Sequence, residues 1–404
     1  MTAQPAELHI PEGINYECTG CGKCCGGWAV PMTEVDYKRI SAVDWSEQSD
    51  NFKGASLFRE LKTHESAGTP YTHAIKEGPD GHCPFLVDNL CFIHSKNGSE
   101  AKPSICQLFP YCFNETPSGV YATVSFVSMG VVHNSGKALA EQREYLEKKF
   151  ADFRALYPEH HPNWSKVELT NGKPLSWNEY LEIEEQLLTF LKVRSASFEQ
   201  RLLKGSAYLH ARAAGKDADA KSANTMLTKL RPLDKHLLVA LHKIYFPVRI
   251  LGRGEGDFNP TRFAYQLVFQ GLFPGLRIAL PGHSYTFEQL EKVPWAEDAD
   301  VEDLLFRYFY SRIFAKLYFG AGFGQLSVIA GFHHLILLYA LIRLQARALS
   351  LARGAICTSY VDVVAAVRQL EKRLGETVVG PYAAAIYELL MFSHQRALRI
   401  LAEP

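Results

Sequence analysis

The chain has 404 residues, 43 Lys and Arg against 43 Asp and Glu, and an apolar fraction of 47 %. That length supports a large buried core and two domains. A net charge of zero gives no electrostatic hold on nucleic acid or anionic lipid, so neither is expected as a partner. The N-terminal stretch lacks a basic region followed by an apolar one, so no signal peptide is read and a cytoplasmic, reducing location is expected.

In chain order, the first informative segment is Cys18-Thr-Gly-Cys21-Gly-Lys-Cys24-Cys25. Cys83, Cys91, Cys106 and Cys112 follow at wider spacing, and the remaining residues hold only Cys357. In a reducing compartment such clustered thiols point to metal rather than disulfides. Eight candidate ligands result: Cys18, Cys21, Cys24, Cys25, Cys83, Cys91, Cys106 and Cys112. A C-x2-C-x2-C run suits an iron–sulfur cluster, and C-x2-C also suits zinc. Adjacent side chains diverge, so Cys24 and Cys25 are not expected on one tetrahedral ion. Either Cys18, Cys21 and Cys24 join Cys83, which is followed by Pro84, in a [4Fe-4S] arrangement, or two four-ligand zinc sites use all eight. His82 and His94 lie beside the second set and are read as supporting or exposed groups. Cys357 is read as a packed structural thiol.

Thr33-Glu-Val-Asp36 has the form of a capped helix start. Tyr121 to Val127 reads as a strand. From Lys137 the pattern turns helical. Helices are predicted at 137–156, 177–194, 198–214, 233–247, 300–319, 325–351, 359–374 and 381–401, with Gly354 ending the longest and Thr358-Ser359 capping the next. The fold class is therefore α+β: a cysteine-rich metal-binding domain with short strands over 1–135, then a mainly α-helical domain over 136–404. Leu326 to Ile342 is apolar for 17 residues but carries His333-His334. A span needs about 20 apolar residues, so this is read as a core helix.

Elsewhere the signals are weaker. Gly252-Arg-Gly254-Glu-Gly256-Asp257 lacks the strand–turn–helix context and downstream acid of a nucleotide loop. His160-His161 reads as an exposed loop, and the aromatic run Phe306 to Phe319 as core. Arg307 and Arg312 require anionic partners, Glu302 or Asp303 or a ligand carboxylate. No hydrolase, NTPase or zinc-protease motif is present.

The segments Cys18-x2-Cys21-Gly-x-Cys24-Cys25, His82-Cys83-Pro-Phe-Leu, Leu90-Cys91-x-Ile-His and Lys102-Pro-x-x-Cys106-x-Leu-Phe-Pro110 resemble the zinc- or iron-chelating CxxCxxCC cysteine-cluster family over residues 16–115. Within it, Cys24-Cys25-Gly-Gly-Trp28-Ala-Val followed by Asp36-Tyr37 resembles flagellin lysine N-methylase. So does the overall length, and so do Glu302-Asp-Leu-Leu-Phe-Arg-Tyr-Phe and the helix at 325–345. That resemblance implies a protein-lysine N-methyltransferase using S-adenosylmethionine on a protein such as flagellin. Trp28 would then stand either at a methyl-donor cleft or as a core residue over the cluster. The alternative is a non-catalytic metal-binding, redox or iron-sensing protein. No catalytic base can be named.

Overall fold

A computed structural model describes residues 7–26, 29–78, 81–216, 229–248, 276–296, 298–376 and 379–402. The chain divides into two compact units, Met1–His161 and Pro162–Pro404. The architecture is α+β, with short strands gathered in the first unit and long helices in the second.

The first unit holds two small sheets and a hairpin. Strands β1 (Leu8–His9), β8 (Gly119–Val124) and β7 (Tyr111–Thr116) lie in the order β1-β8-β7, with β1 parallel to β8. Strands β2 (Val30–Met32), β4 (His73–Ile75) and β3 (Phe58–Glu60) form an antiparallel sheet in the order β2-β4-β3. The hairpin pairs β5 (Leu86–Val87) with β6 (Leu90–Cys91). Its turn residues Asp88 and Asn89 both adopt positive φ, 52° and 63°. A tight two-residue turn demands that conformation, and Asp and Asn tolerate it.

Helix α1 (Glu34–Ser41) starts as the sequence indicates. Thr33 accepts from the Asp36 N–H and the Asp36 carboxylate accepts from the Thr33 N–H. Short helices α2 (Trp45–Gln48), α3 (Thr63–Ser66), α4 (Phe92–Asn97), α5 (Ser104–Leu108) and α6 (Met129–Val132) follow. Around Trp45 the rings of Phe52, Phe85 and Phe92 meet largely edge to face. Cys83, Cys91 and Cys106 pack against that core. Helix α7 (Arg143–Leu156), which the sequence assigned to the second domain, belongs to the first unit. It packs there on β7 and α5, with Phe150 and Phe153 against Phe113.

The second unit opens with β9 (Glu168–Thr170) and β10 (Lys173–Pro174), then α8 (Trp177–Lys192), α9 (Phe198–Ala213) and α10 (Pro232–Tyr245). A hairpin of β11 (Arg277–Leu280) and β12 (His283–Thr286) leads to α11 (Phe287–Glu291) and α12 (Ala299–Phe314). The unit is organised on α13 (Val328–Ala352), with α14 (Tyr360–Glu376), α15 (Pro381–Met391) and α16 (His394–Ala402) packed on it. Gly205 lets α9 approach α13, because a Cβ there would stand 2.5 Å from the Phe332 ring. Two boundaries differ from the sequence reading. The helix expected over 300–319 stops at Phe314, and the one expected over 381–401 is broken at Phe392-Ser393. There Ser393 accepts from the Arg396 N–H and starts a new helix.

Helix α13 has the length and apolarity to cross a membrane, yet 78 % of its most apolar window is buried within the protein. Its polar side chains are matched to partners. His334 meets the Tyr245 hydroxyl at 2.6 Å, and Gln345 accepts from His242 at 2.9 Å. The buried arginines of α12 are matched too. Arg307 donates to Asp303 at 2.7 Å, and Arg312 lies 3.6 Å from Glu371. Cys357 is exposed, contrary to the packed thiol expected, and His160 and His161 are exposed as expected. The Gly252–Asp257 loop lies outside the described residues.

Candidate metal centre

All nine cysteines are free thiols. Three backbone devices gather the thiols of the first unit. Gly20 and Gly22 take φ of +61° and +67°, a region that favours glycine. They turn the first cysteine segment so that the Cys25 N–H donates to Gly22 O at 3.0 Å. That segment rests on the tip of the β5–β6 hairpin, with Gly20 against Leu90 and Gly22 against Leu86. Next, the Cys83 N–H donates to Cys25 O at 2.8 Å, and Gly26 pairs with His82 as an isolated bridge. Finally, Cys106 is placed by α5. The buried Asp36 carboxylate accepts from the Ser104 N–H at 3.0 Å and from its hydroxyl at 2.9 Å, tying α5 to α1.

The result is a quartet of thiols from four separate segments: Cys25, Cys83, Cys91 and Cys106. Burial pushes the Cys25 thiol up to about 11, and the charges of Cys91, Cys24 and Cys18 raise it further. Burial pushes Cys83 up to about 12, with Cys25 and Cys91 adding to it. Cys106 is raised well above the usual thiol value, first by burial and then by Cys83, Cys91 and Cys25. Cys25, Cys83 and Cys106 each feel the charge of other thiols in the quartet. Burial and repulsion oppose their ionisation, and a bound cation relieves both at once. This donor set fits a zinc or iron centre.

The other four thiols are placed differently. Cys18 and Cys24 lie close enough to Tyr16 for their charges to raise its pKa, after burial. Cys24 points its Sγ toward Val127 O at 3.9 Å, so the adjacent Cys24 and Cys25 side chains do diverge. Cys21 is half-exposed. Its slight burial opposes ionisation, but the Thr19 side chain and the Lys23 N–H outweigh that and lower its pKa. Cys112 sits on β7, with its Sγ 3.6 Å from Pro110 O. The Cys83 backbone is thus joined to that of Cys25. His82 and His94 are exposed, and Trp28 lies outside the described residues.

A second group of metal-capable side chains lies in the helical unit and had no sequence signature. Ring nitrogens of His210, His333 and His394 all lie within 4.8 Å of one another. They come from three different helices, so no local spacing announces them. His333 lies on the helix that the sequence reading places in the core.

Residues 17–127 match the family model CxxCxxCC, described as "Putative zinc- or iron-chelating domain". An uncharacterized protein of Methanocaldococcus jannaschii is 26 % identical over 174 residues, which is 42 % of this chain. The chain spans 56 % of that relative's length. No solved structure matches. Residues 17–127 are thus similar to a zinc- or iron-chelating type of domain, which supports metal binding, while the resemblance to flagellin lysine N-methylase finds no counterpart among these matches.

Proposed function

We propose that this is a metal-binding protein in which Cys25, Cys83, Cys91 and Cys106 hold an iron–sulfur cluster in the N-terminal unit. The observation that carries this is that Cys83, Cys91 and Cys106 pack on one aromatic core and that charges within the quartet raise Cys25, Cys83 and Cys106. The packed C-x2-C-x2-C run beside the quartet favours iron–sulfur over a single zinc ion. Bound there, the cluster would stabilise the unit and could carry one electron. Cys18, Cys21 and Cys24 would border the centre, with the Cys21 thiol held below its usual value. Anaerobic purification tests the reading. A broad brown absorbance with iron and sulfide bound supports it, and a colourless protein with one zinc bound by these thiols overturns the cluster in favour of zinc.

A protein-lysine N-methyltransferase using S-adenosylmethionine, acting on a substrate such as flagellin, is the second reading. Its support is the sequence resemblance at Cys24 to Val30 and at Glu302 to Phe309. Equilibrium binding of S-adenosylmethionine to the holoprotein tests it. No binding at millimolar donor leaves the non-catalytic metal-binding or redox role.

A further inference from the structure

We propose that the helical unit carries its own metal site, in which His210 of α9, His333 of α13 and His394 of α16 bind a divalent first-row transition ion of the zinc class. The site is independent of the thiol centre.

The hydrogen bonding fixes the state of the rings. His333 Nδ1 faces the Met391 carbonyl, which only accepts, so Nδ1 carries the proton and Nε2 carries the lone pair. That Nε2 lies 2.7 Å from the Ser206 hydroxyl, and His394 Nδ1 lies 2.8 Å from the same oxygen. Ser206 has one proton to give. Donated to His333 Nε2 when no ion is bound, it leaves the Ser206 oxygen to accept from His394 Nδ1–H, and His394 Nε2 keeps a free lone pair; an ion on His333 Nε2 takes the place of that Ser206 proton, and the hydroxyl hydrogen turns away while the oxygen still accepts from His394. His210 Nε2 is buried with no hydrogen-bond partner among the described residues. A buried ring nitrogen left in that state is a cost to the fold unless something binds it.

Three further features suit a metal. A histidine ligand characteristically donates its other ring N–H to a carbonyl or carboxylate, as His333 does to Met391. The break between α15 and α16 is what frees that carbonyl and sets His394 at the start of α16. His333 is buried, so little water competes with an ion for its ring nitrogen. Imidazole donors select zinc, copper, nickel or iron over calcium or magnesium. His210 and His394 are only half-buried, so an ion held by three histidines would keep a fourth position open to water or an anion. A purely structural Ser206–histidine network would account for His333 and His394, but it leaves His210 Nε2 unexplained.

The test uses the full-length protein with added Zn²⁺ and Co²⁺. Wild type should bind one more equivalent per chain than His210→Ala or His394→Ala, measured by metal analysis after dialysis. That equivalent should survive Cys83→Ala, which separates it from the thiol centre. The matching cobalt difference spectrum should show d–d bands without sulfur-to-cobalt charge transfer. Equal metal content in wild type and both folded histidine variants overturns the proposal. Should the alanine variants fail to fold, His394→Cys decides. Cobalt uptake with a new thiolate charge-transfer band supports the site, and no uptake by that folded variant overturns it.

Discussion

Cys83 and Cys357 illustrate how little a cysteine's identity says without its surroundings. Cys83 is raised to about 12 by burial among other thiols, whereas Cys357 is exposed on the second unit. Replacing Cys83 or Cys106 with Ala should therefore strip the metal and destabilise the first unit, because thiolate coordination is itself folding free energy, on the order of 10 kcal/mol for a structural zinc. Cys357→Ser should change neither metal content nor melting. Metal analysis with circular dichroism melts checks both, and full metal retention in Cys83→Ala would remove Cys83 from the ligand set. At the same scale, His242 gives a pH dependence with a definite sign. It is fully buried, bonded to Gln345 at 2.9 Å, and burial holds its pKa near 4. The unfolded chain takes up a proton below about pH 6.5 that the folded chain refuses until about pH 4. The fold therefore loses about 1.4 kcal/mol per pH unit from this residue as pH falls through that window. Urea midpoints at pH 7 and pH 5 should show a smaller acid loss in His242→Asn than in wild type, and an equal loss would assign the effect to other groups.

At the scale of elements, the thiol quartet depends on two supports that contain no cysteine. Asp36 ties α1 to α5 and also meets Arg39 at 2.7 Å. Asp36→Ala should cost about 2–3 kcal/mol, the scale of buried charge-assisted bonds. It should also weaken metal binding by letting Cys106 drift. Gly22 turns the cysteine segment at a φ of +67° with Leu86 pressed against it. Gly22→Ala should cost about 1–2 kcal/mol from backbone strain alone, read from the melting of the first unit. Much at this scale was legible from local chemistry: the Thr33–Asp36 capping box, the strand expected over 121–127 that forms over 119–124, and most helix ends in the second unit. What was not legible required distant partners. The pairing of Cys83 with Cys25 depends on a backbone bond across 58 residues, and nothing in the C-x2-C-x2-C spacing encodes it. The break at Ser393 was hidden because a serine inside an apolar run reads equally as a tolerated helical residue or a new cap. The histidine trio spans three helices, so it leaves no pattern at all.

On the scale of the whole molecule, the two units draw stability from different sources. The first has a modest aromatic core and an implied metal, and the second has a large apolar core around α13. Chelation under reducing conditions should therefore unfold the first unit while the helical signal of the second persists, giving two transitions where the holoprotein resists the first. A single cooperative loss of all structure on chelation would show that the units do not behave independently.

Helix α13 carries one more consequence, for how the chain is made. Its 25 residues are apolar enough over their length to cross a membrane, and α14, α15 and α16, which pack on it, all follow it in sequence. While the chain is being synthesised, that helix emerges before these three helices that complete its cover. His333 and His334 wait likewise, since the Met391 carbonyl and the Tyr387 ring are made later. A chain stopped after Gly354 should therefore be captured by chaperones or aggregate rather than fold. Sedimentation of that truncated product checks this, and a soluble, helical fragment would show that α13 finds cover without its C-terminal neighbours.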